Sequence, residues 1–347
     1  MDVDALRDRA RALLPREVYD YYAGGAESET TLAESTSAWL RWRLRPRILR
    51  DASTVSTATT LLGTPVALPI GVAPWALHGM AHPDGETATA RGAAAADALM
   101  VVSTTATRSL GEVAAASDGP KWFQLYRVHS PAYTDELVRR AAQAGYRALV
   151  VTADLAVLGR RLRDVANDFV LPPRITMANH PRDEGGPGST LGAALETMAS
   201  WTFDDIEHFA GLTDMPVVVK GVLRADDAQR CVDAGASAVW VSTHGGRQAD
   251  PAIASAHALP EVVDAVGNQV EVYVDGGVRR GSDVLTALAL GARAAFVARP
   301  TIWGLAVGGA EGVREVLGEL AGSLSVTMAL CGVSDVTDVP ADLLTTA

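Results

Sequence analysis

The chain has 347 residues, 48% of them apolar and 20% charged, and its 30 Lys and Arg stand against 41 Asp and Glu for a formal charge of −11. Such a balance excludes a disordered or fibrous chain and disfavours nucleic acid or an anionic membrane as the main partner, while leaving room for a local cationic pocket. Cys231 and Cys331 stand far apart, in a spacing that suits neither a disulfide framework nor a metal site, so no metal and a reducing cytoplasm are expected.

The opening stretch, MDVDALRDRARALLPREVYDYY, reads as a charged amphipathic helix and lacks the basic-then-apolar order of a signal peptide. No run reaches the roughly 18 apolar residues of a membrane span. From residue 69 onward, eight short apolar runs follow in order: PIGVAP (69–74), LMVVST (99–104), KWFQLY (121–126), ALVVTAD (148–154), PVVVKGV (216–222), AVWVST (238–243), VEVYVDGG (270–277) and AAFVARP (294–300). Near-continuous hydrophobicity is what parallel strands covered on both faces require. Between them lie helix-forming stretches such as DGETATARGAAAADA, SPAYTDELVRRAAQAG and RADDAQRCVDAG, with polar starts or terminal glycines.

Eight alternations of strand and helix predict an α/β fold of the TIM (β/α)8 barrel type, with a doubly wound open sheet as the competing architecture. Residues 1–60 are expected as an N-terminal helical extension, 61–325 as the barrel and 326–347 as a C-terminal tail, all within one domain. About 60 residues separate the fourth run from the fifth, and there NHPRDEGGPGST (179–190) reads as a mobile surface loop on the active-site face.

Barrels place their chemistry at the C-terminal ends of the strands, and here those ends are polar. Gln124 and Tyr126 end the third run, Thr152 and Asp154 the fourth, Lys220 the fifth, Ser242 and His244 the sixth, Asp275 the seventh and Arg299 the eighth. Taken singly, each has an ordinary explanation: a strand-end lysine, a capping aspartate, a satisfied structural histidine. Packing alone does not call for all of them at one end. VDGGVRRG and ARP follow the seventh and eighth runs, where backbone N–H groups, Gly276 and Gly277, and the cations Arg279 and Arg299 suit a phosphate-bearing cofactor. In GRRLRD and HGGRQ, Arg161 and Arg247 are candidates for forked hydrogen bonds to a carboxylate, whereas Arg160 and Arg163 read as solvated arginines. Which of Tyr19, Tyr21 and Tyr22 reaches the site is left open by sequence.

These residues carry a resemblance. VYDYYAGGAE, RPRILRD, AHPDGE, FQLY, LGRR, FVLPP, VKG, HGGRQ, DGGVRRGSDV and ALALGA occur in an order that resembles the FMN-dependent L-2-hydroxy acid oxidases and dehydrogenases, which include glycolate, lactate and mandelate oxidases. By that resemblance the cofactor is FMN and His244 is the base that takes the substrate proton, with Asp154 holding its imidazole. Arg161 and Arg247 bind the substrate carboxylate, and Tyr21 and Tyr126 hydrogen-bond its oxygens. FMN meets Ala73, Pro74, Trp75, Ser103, Gln124, Thr152 and Ser242, with Lys220 at its electron-accepting edge. Asp275, Gly276, Gly277, Arg279, Ala298 and Arg299 hold its phosphate. The implied partners are a small 2-hydroxy acid and further copies of the chain in a homo-oligomer, a tetramer in many relatives.

Three positions depart from the family pattern: Thr243 replaces an Asn, Ala298 a Gly, and Thr105 the large Trp that faces substrate in glycolate oxidase. The last implies a roomier pocket, suited to a bulky or mandelate-like acid. Oxygen is the expected electron acceptor. The competing functions are a dehydrogenase with another acceptor, a decarboxylating FMN monooxygenase and a non-catalytic flavin-binding barrel.

Overall fold

The computed structural model describes residues 3–51, 53–128, 130–181 and 201–347. The expected single N-terminal helix is two, α1 (Val3–Leu13) and α2 (Arg16–Ala23), because Pro15 lies between them in an extended conformation (φ −52°, ψ 145°). Proline has no N–H for a helix interior and its ring clashes with the preceding turn, so the chain turns there. A third helix, α3 (Thr30–Ser37), follows, and Asp250 holds its start by accepting hydrogen bonds from Thr31 N (2.7 Å), Thr30 N (3.2 Å) and Ser28 Oγ (2.7 Å).

All eight apolar runs become parallel strands of one closed barrel: β1 (Ile70–Val72), β2 (Met100–Ser103), β3 (Lys121–Leu125), β4 (Leu149–Thr152), β5 (Val217–Val222), β6 (Ala238–Val241), β7 (Glu271–Asp275) and β8 (Ala294–Val297). Each pairs with its sequence neighbour, and β8 closes on β1 in the register Ala295↔Ile70, Phe296↔Gly71, Val297↔Val72. Gly71 is needed there, since a Cβ on it would stand 2.3 Å from the Phe296 ring.

Successive strand residues face opposite sides, and the two cores follow that period. Trp122, Val150, Val218, Trp240, Tyr273 and Phe296 fill the barrel interior, while their neighbours Phe123, Leu149, Val219, Val239, Val274 and Val297 belong to the layer beneath the helices. Stepping two residues from each interior side chain toward the strand end gives Gln124, Thr152, Lys220, Ser242, Asp275 and Ala298. The strand-end polar groups are therefore inward-facing by the same pleat that packs the aromatic interior.

At the opposite end a hairpin of Thr59–Leu61 and Thr64–Val66 contributes Leu61 and Val66 to the interior and closes it. The strand Trp42–Leu44 pairs antiparallel with Leu344–Thr346, tying the N-terminal extension to the C-terminal segment. The last long helix, α4 (Arg299–Cys331), runs across the expected barrel–tail boundary at 325 and departs from helical geometry only at Gly309 (φ 58°, ψ −138°). Of the stretch 179–190, Asn179 and His180 are buried; Asn179 Oδ1 accepts the Leu110 N–H and its Nδ2 donates to Thr104 O, which fixes this start to the barrel. Residues 182–190 of the expected surface loop lie outside the described residues. Among the described residues no helix is long and apolar enough to cross a membrane.

Candidate active site

The loop after β6 carries His244, and three consecutive residues, His244 (φ 55°), Gly245 (φ 66°) and Gly246 (φ 73°), adopt left-handed backbone. Gly246 has no alternative, because a Cβ would also stand 2.7 Å from Leu32 N of α3. This reversal turns the imidazole into the cleft. Nδ1–H donates to Asp154 Oδ1 at 2.9 Å, which leaves Nε2 with its lone pair, and the Tyr126 hydroxyl stands 3.3 Å from it. Burial lowers the His244 pKa, against the opposing pull of Asp154, so the ring is neutral and able to accept a proton. Burial would raise the Asp154 carboxyl, but His244 and Lys220 outweigh it and the group stays ionised below its ordinary range. Burial raises the Tyr126 pKa, with Asp154 adding to it, and keeps the phenol a donor.

Two guanidiniums face this dyad. Arg161 and Arg247 are both buried, and among the described residues neither has a carboxylate within ion-pair distance. Burial and then the neighbouring Arg247 lower Arg161 to about 10. Asp164 is the nearby negative charge but makes no ion-pair contact with either, and a pair of buried cations not directly paired suits the binding of an anion. Among the described residues Arg161 Nε has no partner, and Arg247 Nη1 donates to Tyr21 O (2.6 Å) and Gly24 O (2.9 Å). These carbonyls close the C-terminal turn of α2, where helix acceptors lack intrahelical donors and cations are favoured. Arg299 joins them, donating to Tyr22 O, Gly24 O and Gly245 O at 2.8–3.0 Å.

With α2 held in this way, the choice among the tyrosines follows. Tyr21 lines the cleft and stacks on Phe169 at 5.0 Å, Tyr22 is turned away to donate to Leu77 O, and Tyr19 stacks on Trp303. Trp75 lies beneath the arginines, its ring 5.1 Å from the Arg247 guanidinium carbon and 5.3 Å from that of Arg299.

Lys220, Ser242 and Asp275 form a buried chain at the cleft floor. Lys220 Nζ donates to Ser242 Oγ (2.8 Å) and lies 3.3 Å from Asp275 Oδ2, while Ser242 Oγ donates to Asp275 Oδ1 (2.8 Å). The turn after β7 then presents backbone N–H groups. Asp283 accepts those of Arg279 and Arg280, whereas those of Gly276, Gly277 and Val278 have no acceptor among the described residues and all three residues line the cleft. Unsatisfied N–H groups beside Arg279 and Arg299, at glycines with φ of 100° and 77°, fit the phosphate of FMN.

Of the other expected residues, Ala73, Pro74, Ser103, Thr105 and Ala298 line the same cleft. Asp154 acts through His244, and Gln124, Thr152 and Ser242 stand behind the cleft wall; among the described residues Gln124 Nε2 and Thr152 Oγ1 have no partner. Ala298 has a negative φ (φ −120°, ψ −73°), so its backbone does not lie in the left-handed region that favours glycine. Thr105 Oγ1 is tied back to Ser103 Oγ at 3.0 Å. Leu155 also lines the cleft and was not singled out in the sequence, where it is marked only by following Asp154.

Comparison with known proteins identifies the family. Residues 10–346 match the family model described as FMN-dependent dehydrogenase. The chain is 46% identical to an L-lactate oxidase of Nostoc sp., covering 96% of this chain and 95% of that one. It is 43% identical to 2-hydroxyacid oxidase 1 of Homo sapiens, covering 96% and 93%. A crystal structure of mandelate oxidase with (S)-4-hydroxymandelic acid superposes with a TM-score of 0.95 at 41% identity, covering 100% of this chain and 98% of that one.

Proposed function

The chain belongs to the FMN-dependent dehydrogenase family, as an oxidoreductase of the 2-hydroxy acid oxidase kind acting on CH–OH, and on that footing we propose that it converts a bulky or aromatic L-2-hydroxy acid to the 2-oxo acid with oxygen as electron acceptor. The observation that carries this reading is the neutral His244 Nε2 held by Asp154 opposite two buried guanidiniums that, among the described residues, have no carboxylate in ion-pair contact. Arg161 and Arg247 fix the substrate carboxylate, and with it the Cα and hydroxyl, beside that nitrogen. The Tyr126 hydroxyl, 3.3 Å from Nε2, hydrogen-bonds the substrate oxygen. His244 accepts the substrate proton at Nε2, and Asp154 stabilises the imidazolium that results. FMN, when bound, supplies the two-electron acceptor. Gly276 to Val278 and Arg279 hold its phosphate by backbone N–H groups and charge, and Lys220 sets a cation on the cleft floor.

The small Thr105, drawn back onto Ser103, supports the bulky substrate. The relatives' names as oxidases support oxygen. Mixing the FMN-loaded protein with L-2-hydroxy acids in the absence of air tests both. Mandelates are expected to bleach the flavin absorbance faster than glycolate, and air to restore it. If no 2-hydroxy acid bleaches it, the proposed reaction is wrong; if glycolate is the fastest, the substrate assignment is wrong.

A further inference from the structure

The Gly276 carbonyl has a partner from outside the barrel. Trp39, in the short helix Ala38–Arg41 that follows α3, is 2% exposed and donates its indole Nε1–H to Gly276 O at 2.9 Å. The preceding helix, α3, presses on the next residue: a Cβ on Gly277 would stand 1.9 Å from Ser35 O. Behind Gly276 lie the buried hydroxyls of Ser255 and Thr243, neither of which has a hydrogen-bond partner among the described residues. The indole is therefore the group that fixes this peptide from its carbonyl side.

The peptide unit is planar and trans, so its C=O and the following N–H point in opposite directions. Holding Gly276 O toward Trp39 aims the Gly277 N–H the other way, and that N–H has no acceptor while its residue lines the cleft. Glycine on both sides of the bond gives the backbone no steric preference of its own, since both φ values are positive and neither residue has a Cβ to restrict rotation. We infer that Trp39 is a positioning residue for the phosphate-binding turn, pre-setting the Gly276–Gly277 peptide so that its N–H faces a phosphate. The N-terminal extension thereby takes part in cofactor selection. Asp250, six residues beyond His244, anchors α3 and so fixes where Trp39 stands.

This inference rests on the phosphate of FMN lying at the turn after β7, and the test separates the two. Dissociation constants of the apoprotein for FMN and for riboflavin, which lacks the phosphate, are measured by quenching of flavin fluorescence in the wild type and in Trp39→Phe, which keeps a ring but deletes the donor. The wild type is expected to prefer FMN strongly. Trp39→Phe is expected to bind FMN about tenfold more weakly, as for one well-placed hydrogen bond, and riboflavin within twofold of the wild type. If the wild type does not prefer FMN, the phosphate placement is wrong and the role of Trp39 falls with it. If it does and Trp39→Phe keeps the same preference, the role of Trp39 alone is overturned. Should Trp39→Phe not yield folded apoprotein, Trp39→Leu, which also deletes the donor, is compared in the same way. A preference for FMN over riboflavin that is undiminished in Trp39→Leu would also overturn the inference.

Discussion

The two ends of the barrel make opposite use of a buried tyrosine beside an acid. At the hairpin end, the Tyr273 hydroxyl donates to Glu271, whose carboxylate also accepts the Leu62 N–H, so these three groups satisfy one another. At the cleft end, the Tyr126 hydroxyl meets an imidazole lone pair, and Asp154 Oδ2, Arg161 Nε, Gln124 Nε2 and Thr152 Oγ1 have no partners among the described residues. The free polar atoms at the cleft end are the ones a ligand's polar groups would meet. Tyr273 and its acid are joined to each other, whereas Tyr126 and its acid are joined through His244.

Four experiments break or sharpen this contrast. The largest effect is expected for His244→Ala, which should lower kcat/KM by about 10²–10⁴ while leaving the flavin absorbance of the purified protein intact; a loss below tenfold would remove His244 as the base. Arg161→Met should raise KM roughly 10–100-fold through the loss of charge-assisted hydrogen bonds to the carboxylate, measured by steady-state kinetics. Tyr273→Phe should cost about 1–3 kcal/mol in denaturant unfolding with KM and kcat unchanged, and a kinetic effect there would blur the distinction between the ends. The smallest effect concerns pH. Because burial lowers His244, its base form persists to more acidic pH than the ordinary value of about 6.5, and the acid limb of kcat/KM should lie below that value. Asp154→Asn removes the opposing influence and should move the limb further down, so an upward move would contradict the assignment.

The barrel was legible because parallel strands buried on both faces leave an unbroken apolar signature, and the pleat carried that legibility to the site. Counting by twos from Trp122 or Tyr273 reaches Gln124 or Asp275 without any structure. Thr243 is one residue out of step with Trp240 and Ser242, and its side chain lies behind Gly276 instead of in the cleft. That is why its departure from the family's Asn leaves the catalytic groups in place. What sequence did not reveal depends on contacts between distant segments: Arg299 donating to the end of α2, Trp39 reaching Gly276, and the hairpin closing the far end. None has a local periodicity to betray it. The break at Pro15 did have a signal, but the charged amphipathic pattern on both sides of the proline masks it.

The left-handed backbone at His244 has a consequence for any attempt to harden this protein against heat. A side chain other than glycine there works against its own steric preference, on the order of 1–2 kcal/mol for a typical residue and less for types such as Asn. Selection for thermal survival alone would drift toward Asn or Gly at that position and yield robust but inert molecules. The residue that performs the chemistry is retained only while turnover itself is under test.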